Sequence, residues 1–187
     1  MKKFFTAVLC AGLIAVTASG CGYSDALLDS KSSVTQPSEA NSNPATEDEV
    51  KSSDYKNDLN GLVDYFVAKE YIKDDKNTVT EMDAASIGAE KGKKFANTFE
   101  TKNITIELYE YNQDKLNETA ENILESVKKD GTFSIYSLPD VPAYISDNGK
   151  FLMIYTDASI DNKNPDKTSP NFQHREEVIE DFKAFNN

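Results

Sequence analysis

The chain has 187 residues, with 20 Lys and Arg set against 32 Asp and Glu, for a formal net charge of −12. Binding a polyanion relies on Lys and Arg displacing counterions, so this balance excludes nucleic acid as a natural partner, and it opposes adhesion of the protein surface to anionic lipid. A single histidine rules out any metal site built from two or more imidazoles of one chain.

Met1, Lys2 and Lys3 form a short positive segment, followed by an uncharged and mostly apolar run from Phe4 to Ala18. That is the shape of a signal peptide, and the run is shorter than the roughly 20 residues needed to span a ~30 Å hydrocarbon core as a helix. Ala18-Ser19-Gly20-Cys21 then places small residues in front of a cysteine. The arrangement resembles the bacterial lipobox, with Ala18 where Leu is more usual, and it implies a signal peptide over residues 1–20, cleavage before Cys21 and diacylglycerol on the Cys21 thiol. Each buried methylene adds about 0.8 kcal/mol, and two or three acyl chains make such an anchor stable. The expected location is the extracytoplasmic face of a cell membrane. Cleavage also removes Cys10 and takes the formal charge to −14, with 18 basic side chains remaining. Without a free thiol, the mature chain is expected to have no disulfide, Cys-rich zinc site or cysteine nucleophile.

Residues 21–54 are rich in Ser, Thr, Asn, Pro and Glu and poor in large apolar residues, which predicts a disordered tether. Its r.m.s. reach of about 30 Å keeps the following domain close to the membrane. Residues 55–187 are sufficient for a single core. Leu59, Leu62, Val63, Phe66 and Val67 recur at helical spacing, predicting a helix from an Asp58 cap to about Ile72. Alternation of Ile104, Ile106 and Leu108 with Thr105, Glu107 and Tyr109 predicts a strand over 103–111. Asp114 is the expected cap of a second helix, whose apolar face is Leu116, Ala120, Ile123, Leu124 and Val127 and which ends at Gly131. A strand follows over Thr132 to Leu138, then a hairpin over Ala143 to Thr156 turning at Asp147-Asn148-Gly149. Its second strand, Phe151 to Tyr155, is apolar on both faces and should be covered on both. Val178, Ile179, Phe182 and Phe185 mark a final helix. This order predicts an α+β domain with a mainly antiparallel sheet of about four strands and about three helices.

Ile87-Gly88-Ala89 with Gly92 and Phe95, Glu107-Leu108-Tyr109-Glu110-Tyr111, Asp147-Asn148-Gly149-Lys150-Phe151 and the closing helix with Phe182 together resemble small lipoproteins of Gram-positive, clostridia-like anaerobes. The resemblance implies one extracytoplasmic domain and carries no activity.

Several constellations invite chemistry. His174, just before Arg175, could be a general base; at a helix start it reads instead as a solvent-facing residue. Asp157, Asp161, Asn162, Asn164 and Asp166 suggest calcium, but the EF-hand template fails because Lys163 or Lys167 and Gln173 occupy ligand or glycine positions. Gly88 to Lys94 is one residue short of a phosphate loop and lacks its Ser or Thr, so a turn leading into a strand is the better account. Glu107 and Glu110 lie three apart on a strand and face opposite sides, which unsuits them as a hydrolytic pair. No cofactor or metal is expected. Tyr109 and Tyr111 share a strand face with Glu107, while Tyr136, Tyr144 and Tyr155 lie on other strands. Glu107, Tyr109 and Tyr111 therefore form the candidate face for an envelope protein or glycan, unless a helix covers the rings. The favoured function is a non-enzymatic binding or accessory lipoprotein at the cell envelope. The rival is an extracytoplasmic hydrolase built on carboxylates and acting on wall or glycan substrates.

Overall fold

In the computed structural model the described residues are 49–187. The expected leader, Cys21 and the tether to residue 48 lie outside them. The described part begins earlier than the expected boundary at Tyr55: Ser52–Asp54 forms a 3-10 turn, and Val50 and Tyr55 pack on the core. Residues 49–54 therefore belong to the domain, a correction to the reading of residues 21–54 as tether throughout.

Helix α1 (Leu59–Ala68) is capped by Asp58, whose carboxylate accepts from the Gly61 N–H at 2.8 Å. It stops short of Ile72 because Glu70 takes a left-handed backbone (φ 61°) and the Tyr71 and Glu70 N–H groups bond back to the Phe66 and Val67 carbonyls, a Schellman closure. Tyr71 and Ile72 are nonetheless buried. They keep helical spacing in sequence but fold back onto the helix, with the Tyr71 and Phe66 rings 5.5 Å apart.

Strand β1 (Val79–Glu81) and the long β2 (Lys91–Phe99) precede β3 (Lys102–Glu110). Neither of the first two is predicted from the sequence: the three residues of β1 are too few to show a period, and Lys91-Gly92-Lys93-Lys94 conceals any alternation in β2. Register decides β2: each of its nine residues pairs with β3, from Lys91↔Glu110 to Phe99↔Lys102. Helix α2 (Glu118–Asp130) is capped by Asn117 rather than Asp114 and ends at Gly131. Asp114 sits in a turn in which Asn112 Oδ1 accepts its N–H.

The expected single strand over 132–138 is one arm of a small hairpin, β4 (Thr132–Ile135) and β5 (Leu138–Pro142), which forms a separate two-stranded sheet. Strands β6 (Tyr144–Ile145) and β7 (Phe151–Asp157) turn around Asp147-Asn148-Gly149 as predicted. Helix α3 (Pro170–Lys183) starts at Ser169, whose hydroxyl accepts from the Phe172 N–H.

The architecture is α+β, with a five-stranded antiparallel sheet in the order β1-β2-β3-β7-β6. Among the described residues three α-helices accompany seven strands, more strands than the expected four. On one face Ile104, Ile106, Leu108, Phe151 and Met153 pack with Leu62 and Phe66 of α1 and Val178 and Phe182 of α3. On the other, Tyr109, Tyr111 and Leu152 pack with Ile123, Leu124 and Val127 of α2. Strand β7 is thus an interior strand covered on both faces, as its apolar run requires.

Candidate functional site

Tyr109 and Tyr111 are 4% and 0% exposed, sealed beneath α2 and the 3-10 turn at Ala84–Ile87. Tyr109 donates to Glu107 at 2.8 Å, and Lys94 holds the other Glu107 oxygen at 2.9 Å. Tyr111 donates to the Ile87 carbonyl at 3.2 Å. The expected Glu107, Tyr109 and Tyr111 face is therefore corrected: its two rings are core, and no partner reaches them in the folded domain. Strand alternation distinguishes two faces but does not reveal that both are covered.

The segment Gly88 to Lys94, expected as a turn leading into a strand, is turn only up to Glu90; Lys91 to Lys94 already belong to β2, a correction to that reading, and both of its glycines have structural duties. Gly88 takes φ 74° to close the 3-10 turn. A Cβ on Gly92 would stand 2.6 Å from the ring of Tyr109, its partner across the ladder.

His174 is half-buried rather than solvent-facing. Its ring stacks on Phe99 with centroids 3.9 Å apart and planes parallel, and meets Tyr71 edge-on. Burial pushes its pKa below the ordinary value against the opposing pull of Glu177 and Asp157. Nearby, Tyr71 donates to Asp181 and Glu177, and Lys69 pairs with Asp181 at 2.8 Å.

Glu110 is buried on the α1 side, where Lys91, Lys150 and the Leu59 N–H reach it at 3.0, 3.1 and 3.1 Å. Burial raises the affinity of this carboxyl for a proton, but these three donors outweigh it and hold the pKa below the carboxylate range. The group caps the positive end of α1. Glu107 and Glu110 lie on opposite sides of β3, as the spacing requires.

In the acidic loop after β7 the carboxylates mostly serve their own backbone. Asp161 accepts from the Lys163 N–H, and Asp166 from the N–H and hydroxyl of Thr168. Among the described residues no group of three or more His, Cys, Asp or Glu is placed to hold a metal ion.

One arrangement has polar capacity that the fold does not use. Between β7, the following loop and α3 lies a cavity of about 100 Å³. Its buried lining is Tyr155, Asp157 and Ile160; Arg175 enters from the second turn of α3, and Pro142, Thr156 and Asn162 form an exposed rim. Asp157 Oδ1 accepts from the N–H and hydroxyl of Ser159 at 2.8 and 2.6 Å, and Oδ2 from Asn171 at 2.7 Å. Burial pushes the Asp157 carboxyl up, but these donors and Arg175 bring it below its ordinary pKa. Arg175 donates to Asn162 at 2.9 Å and to Glu176, and lies over the Phe172 ring. Tyr155 is 7% exposed, and among the described residues no group hydrogen-bonds its hydroxyl. Burial and the adjacent Asp157 charge raise its pKa, with Arg175 opposing.

No family model, curated protein or solved structure matches the chain. The site accordingly stands on its own geometry. Sequence reasoning placed Asp157 in a possible calcium loop and Tyr155 among the strand tyrosines, but missed Arg175 as their companion. A signal existed: Arg175 is the sole arginine beside 19 lysines. A planar five-donor fork is not interchangeable with an ammonium where directed bonds are made.

Proposed function

We propose that the chain is a lipid-anchored extracytoplasmic protein whose folded domain is a non-enzymatic binding or accessory module at the cell envelope. The observation that carries the anchor is the run from Lys2 to Cys21, a positive start, an apolar stretch and small residues before cysteine. The same reading accommodates the resemblance to small clostridia-like lipoproteins.

Support for binding over hydrolysis comes from how the carboxylates of β3 and β7 are employed. A carboxylate hydrolase needs one acid kept protonated near neutral pH. Glu110 is instead held ionised by two lysines and the start of α1. Glu107 is occupied by Tyr109 and Lys94, and Asp157 is also held below its ordinary range. The cavity beside Arg175, by contrast, offers donors and an acceptor without a proton-transfer pair, which suits recognition.

Cell fractionation of the wild type and Cys21→Ser tests the anchor. The wild type should sediment with membranes and carry lipid mass on Cys21. The serine variant should be released with its domain folded, since an acidic surface and a polar tether provide no other hold. A membrane-bound serine variant, or a soluble unlipidated wild type, defeats the reading.

A further inference from the structure

We infer that the cavity between β7 and α3 binds the head group of a free α-amino acid, with its carboxylate on Arg175 and Tyr155 and its ammonium on Asp157. The inference rests on the reading of the domain as a binding module and names the ligand class of that module.

Size sets the first limit. A volume of about 100 Å³ is roughly three times the share of one water in the liquid, about 30 Å³. It admits an ammonium, one tetrahedral carbon and a carboxylate. A larger side chain would project past the exposed Pro142, Thr156 and Asn162.

Charge sets the second. The Arg175 guanidinium has five N–H donors; its bonds to Asn162 and Glu176 engage one on each nitrogen and leave two. Asp157 Oδ2 accepts from Asn171 alone, so a lone pair remains for an ammonium. A simple anion would meet Arg175 but also the Asp157 charge, and a simple cation would meet the reverse. A zwitterion satisfies both and adds no net charge to an acidic protein.

The Tyr155 hydroxyl supplies the third element. Tyr155 lines the cavity, but its hydroxyl has almost no accessible surface of its own, so the carboxylate meets it only with a small shift of the lining. The hydrogen bond then formed out of reach of water is stronger than one at the surface. An isolated buried hydroxyl is costly to keep, and phenylalanine would serve the apolar face of β7 equally well. A tyrosine beside the chain's only arginine and a buried aspartate is economical if a carboxylate engages it.

The test is calorimetric titration of the full-length chain in detergent with glycine and L-alanine, against acetate and methylammonium as single-charge controls. Glycine should bind saturably, and each control at least about tenfold more weakly. Tyr155→Phe should fold with an equal or higher melting temperature and bind glycine about three- to tenfold more weakly, the worth of one hydrogen bond. Arg175→Gln should abolish the heat. No heat with either amino acid, acetate as tight as glycine, or unchanged affinity in Tyr155→Phe overturns the proposal. Should Arg175→Gln not fold, Tyr155→Phe decides alone. The anchor and the ligand fail separately, because the titration does not depend on Cys21 and fractionation does not depend on the cavity.

Discussion

His174 shows how far one side chain's surroundings depart from what its neighbours in sequence suggest. It precedes Arg175 and two glutamates, yet its ring lies flat on Phe99 from the far end of β2. Burial lowers its pKa, so the neutral form is favoured in the folded state relative to an unfolded value of about 6.5. A depressed pKa contributes stability above the unfolded value that is lost as pH falls through the folded one. Urea midpoints should therefore drop between pH 7.5 and pH 5. With no second histidine to titrate in that window, His174→Gln should flatten the drop although its stability at pH 7.5 is lower. An identical slope in both proteins would show that the imidazole is not desolvated. Glu110 works in the opposite sense to a catalytic acid: its three donors fix its charge and tie β3 to α1, β2 and the turn before β7.

At the scale of elements, caps and closures decide boundaries that periodicity leaves open. The apolar spacing of α1 runs on through Tyr71 and Ile72, but the helix is closed by Glu70 in a conformation that suits glycine. A side chain there costs on the order of 1 kcal/mol, and glycine at the position after a helix cap removes that strain at some cost in unfolded-chain entropy. Glu70→Gly should raise stability by about 0.5–1 kcal/mol in denaturant titration; a loss would mean that the Glu70 side chain has a role outside the closure. The β4-β5 hairpin is strained in the same way. Tyr136 and Asp140 both have φ 53°, and Tyr136 is 88% exposed at the turn. Positive φ at a tyrosine is uncommon, which is why the sequence reads as one strand rather than a turn.

Across the molecule, the two chain segments at the limits of the domain are fastened together. Phe185, beyond the end of α3, is fully buried with its ring 5.4 Å from Tyr65 and 5.6 Å from Phe151. Asn186 donates its side-chain amide to the Tyr55 carbonyl, and Tyr55 meets Tyr65 edge-on. The C-terminal tail thus joins β7, α1 and the approach to the domain from residue 50 onward. Phe185→Ala should cost about 3–5 kcal/mol, as expected for emptying a buried aromatic site, read from chemical denaturation. A cost below about 1 kcal/mol would mean that the tail merely covers a core complete without it. The Tyr109 and Tyr111 rings belong to the same accounting: they close the layer under α2, so their truncation reports on folding and not on docking.

The sequence by itself determined the class of the fold and most of its helices and strands. Apolar residues at periods of 3.6 and 2 name the faces that must leave water, and Asp58, Gly131 and Asn148-Gly149 mark where chains turn. It also determined the acidic balance and, through Asp58, the cap of α1, whereas the caps of α2 and α3, Asn117 and Ser169, emerged only with the structure. Tertiary structure alone decided β1 and β2: the Lys-rich β2 gains strand form from its pairing with β3, and the three-residue β1 from its pairing with β2, rather than from their own patterns. It decided that both faces of the central sheet are covered, which turned the tyrosine face from a surface into core. It also decided the candidate site, since Tyr155, Asp157 and Arg175 lie up to 20 positions apart. Their meeting depends on α3 packing back along β7, a contact set by apolar residues elsewhere in both elements.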